Sequence, residues 1–433
     1  MSVLAINGGK KIRDHVFPAY KVIGNEEEMA VKKVIHSGVL SKYLGCWHDD
    51  FYGGENVQAL EKEWSDYFGA KYAITVNSAS SGILVAVGAA GVGPGDEVIV
   101  TPFSMSVSAV APLYFNAVPV FADIEADHFC LDPDSIRKKI TPRTKAIIVV
   151  DLFGQTFSEE IISIAKENNL ILIEDTAQAP NAKSHGKSAG TLGDIGIYSL
   201  NYHKHIHSGE GGIAVTDDYE LAERMRMIRN HAEAVVDDRG MDYYNNFIGF
   251  NLRMTELEAA VAREQLKKLE SLYVQRRANV KYLESKLKHI PALELVKERV
   301  GSEHAYYVHP IKYKMDELKI HRNTFVEAVK AELSPIELRE QEGVPVVNGY
   351  VKPLYLQSIY QKKIAYGGTS CPFGCPLYKG TVDYHKGICP TCENLYENEL
   401  IFHELIRPPM TEKDLDDVYL AFEKVYHHRE ELL

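Results

Sequence analysis

Basic charge is in short supply along this chain. Its 433 residues carry 60 Asp and Glu against 48 Lys and Arg, a formal net charge of -12. A general nucleic-acid binder is usually basic, so no nucleic-acid partner is expected. A local basic pocket for a phosphorylated ligand stays compatible with that total. Long apolar runs are also missing, and none approaches the length of a membrane span. Met1 to Gly9 holds only a short apolar patch without a cleavage pattern. The expectation is a cytoplasmic protein with no membrane partner. Cysteine is scarce, and Cys46, Cys130, Cys371, Cys375, Cys389 and Cys392 do not resemble a small secreted framework. What is present is ordinary for a globular protein: 45% hydrophobic and 25% charged residues, which excludes disorder and fibre. The length calls for two domains.

Residues 1 to 54 read as a leading segment, with a helix over Asn25 to His36 opened by Glu26, Glu27 and Glu28. Asn56 is placed to cap a helix over Val57 to Tyr67. From Tyr72 to about Leu200, short apolar runs alternate with helical patterns. Strands are expected at Tyr72 to Val76, Glu97 to Val100, Val118 to Ala122 and Ala146 to Val150. Helices are expected at Ile83 to Ala90, Asp132 to Lys139 and Glu159 to Asn168. This is the βαβ pattern of a mainly parallel sheet with helices on both faces. Further on, helices are read over Tyr219 to Arg229, Glu256 to Leu287 and Arg322 to Glu332, a loop over Asp237 to Asn246, and a strand over Ala305 to Tyr313.

The chemistry concentrates between Leu170 and Asp217. The apolar run Leu170 to Ile173 ends in Glu174-Asp175, and the run Ile195 to Leu200 leads to Lys204 and then Gly209-Glu210-Gly211-Gly212. Ligands in α/β sheets bind at the carboxyl ends of strands. An acid and a lysine there suit pyridoxal phosphate (PLP): the lysine forms the Schiff base and the acid keeps the pyridine nitrogen protonated. Taken singly, each residue has a commoner role, the lysine as a solvated surface group and the aspartate as a turn former. Their order and spacing favour the joint reading. Asn77 to Gly82 is a small-residue turn opening a helix, which offers N–H groups and hydroxyls to an anion or simply caps the helix.

Ile173-Glu174-Asp175-Thr176-Ala177-Gln178-Ala179 resembles the EDxAQA segment of the DegT/StrS family of fold type I, PLP-dependent sugar aminotransferases. Tyr198 to Lys204 followed by Gly209-Glu210-Gly211-Gly212 resembles its FSFxxxK…GEGG segment. The similarity runs roughly from Leu4 to Pro409. It implies an aspartate aminotransferase-like fold with a seven-stranded, mainly parallel sheet. The expected division is residues 1–54 as the leading segment, 55–273 as the large PLP-binding domain, and 274–433 as a smaller α+β domain.

The resemblance also implies site residues. Lys204 and Asp175 are the catalytic pair, and Gln178 lies beside the cofactor ring. Ser199, with Ala79 and Ser80 in the turn similar to NSGTxAL, takes the phosphate; the family usually has glycine where Ala79 stands. Phe247 to Glu256 resembles GyNyRMxE, which assigns Asn251 and Arg253 to phosphate contact across a homodimer with shared active sites. The family's ring-stacking aromatic aligns with Ser106, which cannot stack, and Phe103 is the nearest aromatic.

The implied function is a ping-pong transfer of an amino group from glutamate or glutamine to a keto-sugar, nucleotide-linked as is usual in the family, with pyridoxamine phosphate between the halves. The N-terminal LAINGG and Lys352-Pro353-Leu354-Tyr355 are similar to the branch acting on inosose-type cyclitol ketones, the first alternative. A PLP-binding regulatory protein without turnover is the second. Cys371-x3-Cys375 and Cys389-x2-Cys392 have spacing that suits a structural zinc, but Cys389 to Glu393 is similar to the family's CPxAE, which binds no metal, so none is expected.

Overall fold

The computed structural model describes residues 2–240 and 247–433. Seven strands form its main sheet: β1 (Tyr72–Val76), β2 (Glu97–Val100), β3 (Val118–Phe121), β4 (Thr144–Val150), β5 (Ile171–Asp175), β6 (Ile195–Ser199) and β7 (Gly212–Thr216). Their spatial order is β1-β7-β6-β5-β4-β2-β3. The pairs from β6 across to β3 are parallel, and β7 runs antiparallel to both of its neighbours. Six carboxyl ends and the first residue of β7 therefore share one edge of the sheet.

The strands are apolar because both faces are covered. Side chains alternate along each strand. Ile148, Ile173 and Ile197 enter the large core with Ile83, Val87 and Ile228 of the helices Ala79–Ala89 and Tyr219–Arg229. Ile147, Val149 and Leu172 face the other way, against Ile136, Ile161 and Ile164. A second sheet contains β8 (Leu293–Leu295), β9 (His309–Tyr313), β10 (Val346–Asn348) and β11 (Leu400–His403), in the antiparallel order β8-β9-β11-β10. It has its own core, where Ile311 and Ile401 meet Phe325 and Phe422. Residues 354–395 lie over the β3 edge of the main sheet: Tyr384 donates to the Pro119 carbonyl at 2.7 Å, and Tyr378 to Glu97 at 2.8 Å.

Three expectations are corrected. Gly54, not Asn56, precedes the Glu55–Phe68 helix. The Glu256 carboxylate takes the N–H groups of Asn56 and Val57 from across the fold, so no local side-chain cap is needed. The helix after β1 starts at Ala79 rather than Ile83, because Ser78 accepts the Ser81 N–H at 3.1 Å. The strand read over Ala305 to Tyr313 forms only from His309, since Ala305 and Tyr307 give their N–H groups to Gly154 and Phe153. Part of the loop read over Asp237 to Asn246, residues 241–246, lies outside the described residues. Among the described residues, no helix is long and apolar enough to cross a membrane.

Candidate active site

Asp175 is the last residue of β5 and Ser199 the last of β6. The Asp175 side chain is buried, and its Oδ1 accepts the Ala177 N–H at 3.0 Å. Burial pushes its carboxyl above the usual range, while the Ala177 N–H and the Lys204 ammonium pull it down. The Lys204 charge is thus felt at the Asp175 carboxyl. Relief is incomplete, so a further cationic N–H at this carboxylate would be favoured.

Lys204 follows β6 in a turn closed by its own N–H to the Asn201 carbonyl at 2.9 Å. Its half-buried side chain places Nζ 4.4 Å from the centroid of the Tyr307 ring. Gln178 is buried and fixed at both ends of its amide: Oε1 accepts the Phe153 N–H at 2.8 Å, and Nε2 donates to the Tyr350 hydroxyl at 3.0 Å. Tyr350 also packs edge-on to Phe103 at 5.4 Å. Ser106 is exposed, whereas Phe103 is fully buried.

The small-residue turn at Asn77 to Gly82 is brought to the same edge. Ser199 stands opposite Gly212 in the β6–β7 register. Gly212 in turn abuts the Ser78–Ala79 backbone at the start of the Ala79–Ala89 helix. Ser80 in the first turn is exposed to solvent. The Asn77 N–H donates to the Leu252 carbonyl at 2.9 Å, which ties the Asn251–Arg253 segment to the same turn. Asn251 is exposed and bridges Asn230, and Arg253 donates to the Asn230 Oδ1 at 2.7 Å. A helix start with a small-residue approach fits a phosphate, and the buried acid fits a pyridinium nitrogen. The donor set therefore suits PLP.

Sequence reasoning missed Tyr307 and Tyr350, which lie outside any motif and meet Lys204 and Gln178 only through tertiary packing. The four C-terminal cysteines do not converge. Cys371 interacts with Cys375, while Cys389 and Cys392 are buried beside Asp123. Among the described residues no three His, Cys, Asp or Glu are grouped to hold an ion.

A mainly parallel seven-stranded sheet, with an acid and a lysine at its carboxyl edge, is the architecture of the PLP-dependent aminotransferases. The chain belongs to the DegT/DnrJ/EryC1/StrS aminotransferase family, which it matches over residues 46–385. It is 38% identical over 239 residues to the GDP-perosamine synthase of Caulobacter vibrioides, covering 54% of this chain and 62% of that one. It is 33% identical to the L-glutamine:2-deoxy-scyllo-inosose aminotransferase of Streptomyces kanamyceticus, covering 66% of this chain and 68% of that one. Among solved structures it is similar to an aminotransferase from Psychrobacter cryohalolentis, with a TM-score of 0.78 and 26% identity over 95% of this chain and 99% of that one.

Proposed function

We propose that this protein moves an amino group from glutamate or glutamine to a nucleotide-linked keto-sugar in two separate half-reactions. The observation that carries this reading is the buried Asp175 at the end of β5, with Lys204 just beyond the end of β6 at the same sheet edge. PLP, when bound, supplies an electron sink for the pair released as the donor's α C–H bond breaks. Lys204 would hold the cofactor and then, once displaced by the donor, carry the proton from the donor's α-carbon. Asp175 would keep the ring nitrogen protonated. Gln178, its amide direction fixed by Phe153 and Tyr350, would sit beside the ring. Ser199, Ser80 and the Ala79 N–H would hold the phosphate, joined by Asn251 and Arg253 from a partner subunit.

In this reading the enzyme works as a cytoplasmic homodimer with shared active sites. Residues 1–54 lead into a cofactor domain of 55–273, and residues 274–433 form the smaller domain. The likeness to an inosose aminotransferase favours a second acceptor class, a cyclitol ketone. The test is to give the loaded enzyme donor alone. One 2-oxo acid per subunit should appear before any acceptor is added, and a later keto-sugar or inosose should be converted to the amine. No oxo acid without acceptor would overturn the two-step scheme. Which ketone is then aminated decides between the acceptor classes.

A further inference from the structure

Residues 304–307, which lead into β9, cross the chain just after β4. The Ala305 N–H donates to the Gly154 carbonyl and the Tyr307 N–H to the Phe153 carbonyl, both at 2.8 Å. Phe153, Gly154 and Tyr306 all lie in the left-handed region, with φ of 60°, 110° and 49°. Residues with side chains keep such a conformation only where the surroundings enforce it. Here side chains from elsewhere take three successive carbonyls. His205 Nε2 donates to Ala305 at 2.9 Å, and Arg276 Nη1 to Tyr306 and Tyr307 at 3.2 and 3.3 Å. The outcome is the place of the Tyr307 ring, whose centroid is 4.4 Å from Lys204 Nζ.

His205 follows Lys204 directly in the chain and is fully buried. Its own carbonyl accepts the Tyr20 hydroxyl. Burial, and after it the Arg276 charge, pushes the imidazole pKa well below the usual histidine range, so the ring is neutral with a single N–H. That proton is on Nε2, because the Ala305 carbonyl can only accept. Nδ1 has no hydrogen-bond partner among the described residues. A buried polar atom in that state costs stability, and an apolar side chain of similar size would avoid the cost. The imidazole's contribution is therefore the one bond it makes, to Ala305. An ammonium is drawn to an aromatic face, so a ring held in place there gives Nζ a defined position.

We propose that His205 is a positioning residue: by holding the Ala305 carbonyl, its Nε2–H seats the Tyr307 ring against Lys204 and couples the lysine's turn to the strand entering the second sheet. This rests on the reading of Lys204 as the cofactor's lysine. The test is the rate at which the visible band forms when cofactor-free protein is mixed with PLP. H205L, which keeps the bulk and loses the N–H, should slow it about twofold to tenfold, the effect of one hydrogen bond. H205Q, whose amide reaches as far as Nε2, should restore most of the rate. In a Y307L background H205L should have no further effect, since the two act through one contact. If H205L does not fold, H205N replaces it, its amide matching Nδ1 rather than Nε2.

A wild-type rate in H205L, equal slowing in H205Q, or the same slowing with and without the Tyr307 ring would each overturn the proposal. Hydrogen exchange in the cofactor-free protein separates it from the reading of Lys204. The Ala305 and Tyr307 N–H groups should exchange faster in H205L than in wild type, and unchanged exchange would overturn the proposal. No band in wild type would count against Lys204, and the exchange comparison would then decide the role of His205.

Discussion

A Cβ placed on Gly212 would stand 2.5 Å from the Ala79 backbone nitrogen, closer than real Cβ contacts come. The first residue of β7 therefore lies directly against the opening turn of the Ala79–Ala89 helix, where the phosphate is proposed to bind. The neighbour is backbone and cannot swing away, so Gly212→Ala forces the turn to move. The expected cost is about 1–3 kcal/mol of stability, typical of overpacking, together with weaker PLP binding. Denaturant unfolding and a PLP titration check both. Unchanged affinity for PLP would separate this turn from the cofactor.

Asp151 and Glu174 form a buried carboxyl pair behind the site. Burial raises the Glu174 carboxyl, and N–H groups from Gly190, Leu192 and Gly193 at 2.6, 2.9 and 3.1 Å pull it back down. Burial pushes the Asp151 carboxyl up and the Glu174 charge pushes it further. The folded chain then holds a proton that the unfolded chain releases near pH ~3.9. Stability from this group is therefore full below that pH and is lost as pH rises through the folded value. Asp151→Asn removes the loss. Its melting temperature should gain on wild type as pH is raised from acid toward neutral. A difference that does not change with pH would contradict this.

Arg229 is fully buried, with Nη1 on Glu61 at 2.8 Å and on the Thr75 carbonyl at 3.1 Å. Glu61→Ala strands that charge and removes the acceptor of the Thr75 N–H. The expected loss is about 3–5 kcal/mol, the cost of breaking a buried pair on one side. Glu61→Ala/Arg229→Met should recover part of it. Urea unfolding of the single and double variants gives the comparison, and a double variant no better than the single would show that the charge is not the cause.

Asn251 and Arg253 are proposed to act across a dimer. Lys204→Ala and Arg253→Ala should each be severely impaired alone. Mixed under conditions that exchange subunits, they should regain a measurable fraction of activity, because one site of each heterodimer is whole. No recovery despite proven exchange would place Arg253 in its own subunit's site.

Much of the fold was legible in the sequence where local signals were strong. The helices Tyr219–Arg229 and Glu256–Leu287 fall on the expected residues because Asp218 and Thr255 cap them. The helix Val107–Tyr114 was not read. Ser106 makes no capping bond and Pro112 interrupts the pattern. The helix Glu412–His427 was also missed, although Thr411 and Asp414 form a capping box. Asp175 and Lys204 were singled out because strand ends announce themselves by pattern, and Ser199 by its likeness to the family segment. Tyr307 and Tyr350 were not, because their places depend on contacts such as Gln178 with Tyr350, 172 residues apart in the chain.

The most direct test of the account is the visible absorption spectrum of the protein with PLP, before and after glutamate or glutamine. The prediction is a coloured band that forms with wild type, bleaches on adding a donor, and is absent in Lys204→Ala. A band of equal strength in Lys204→Ala, or no band in wild type, would contradict the assignment of Lys204 as the cofactor's lysine.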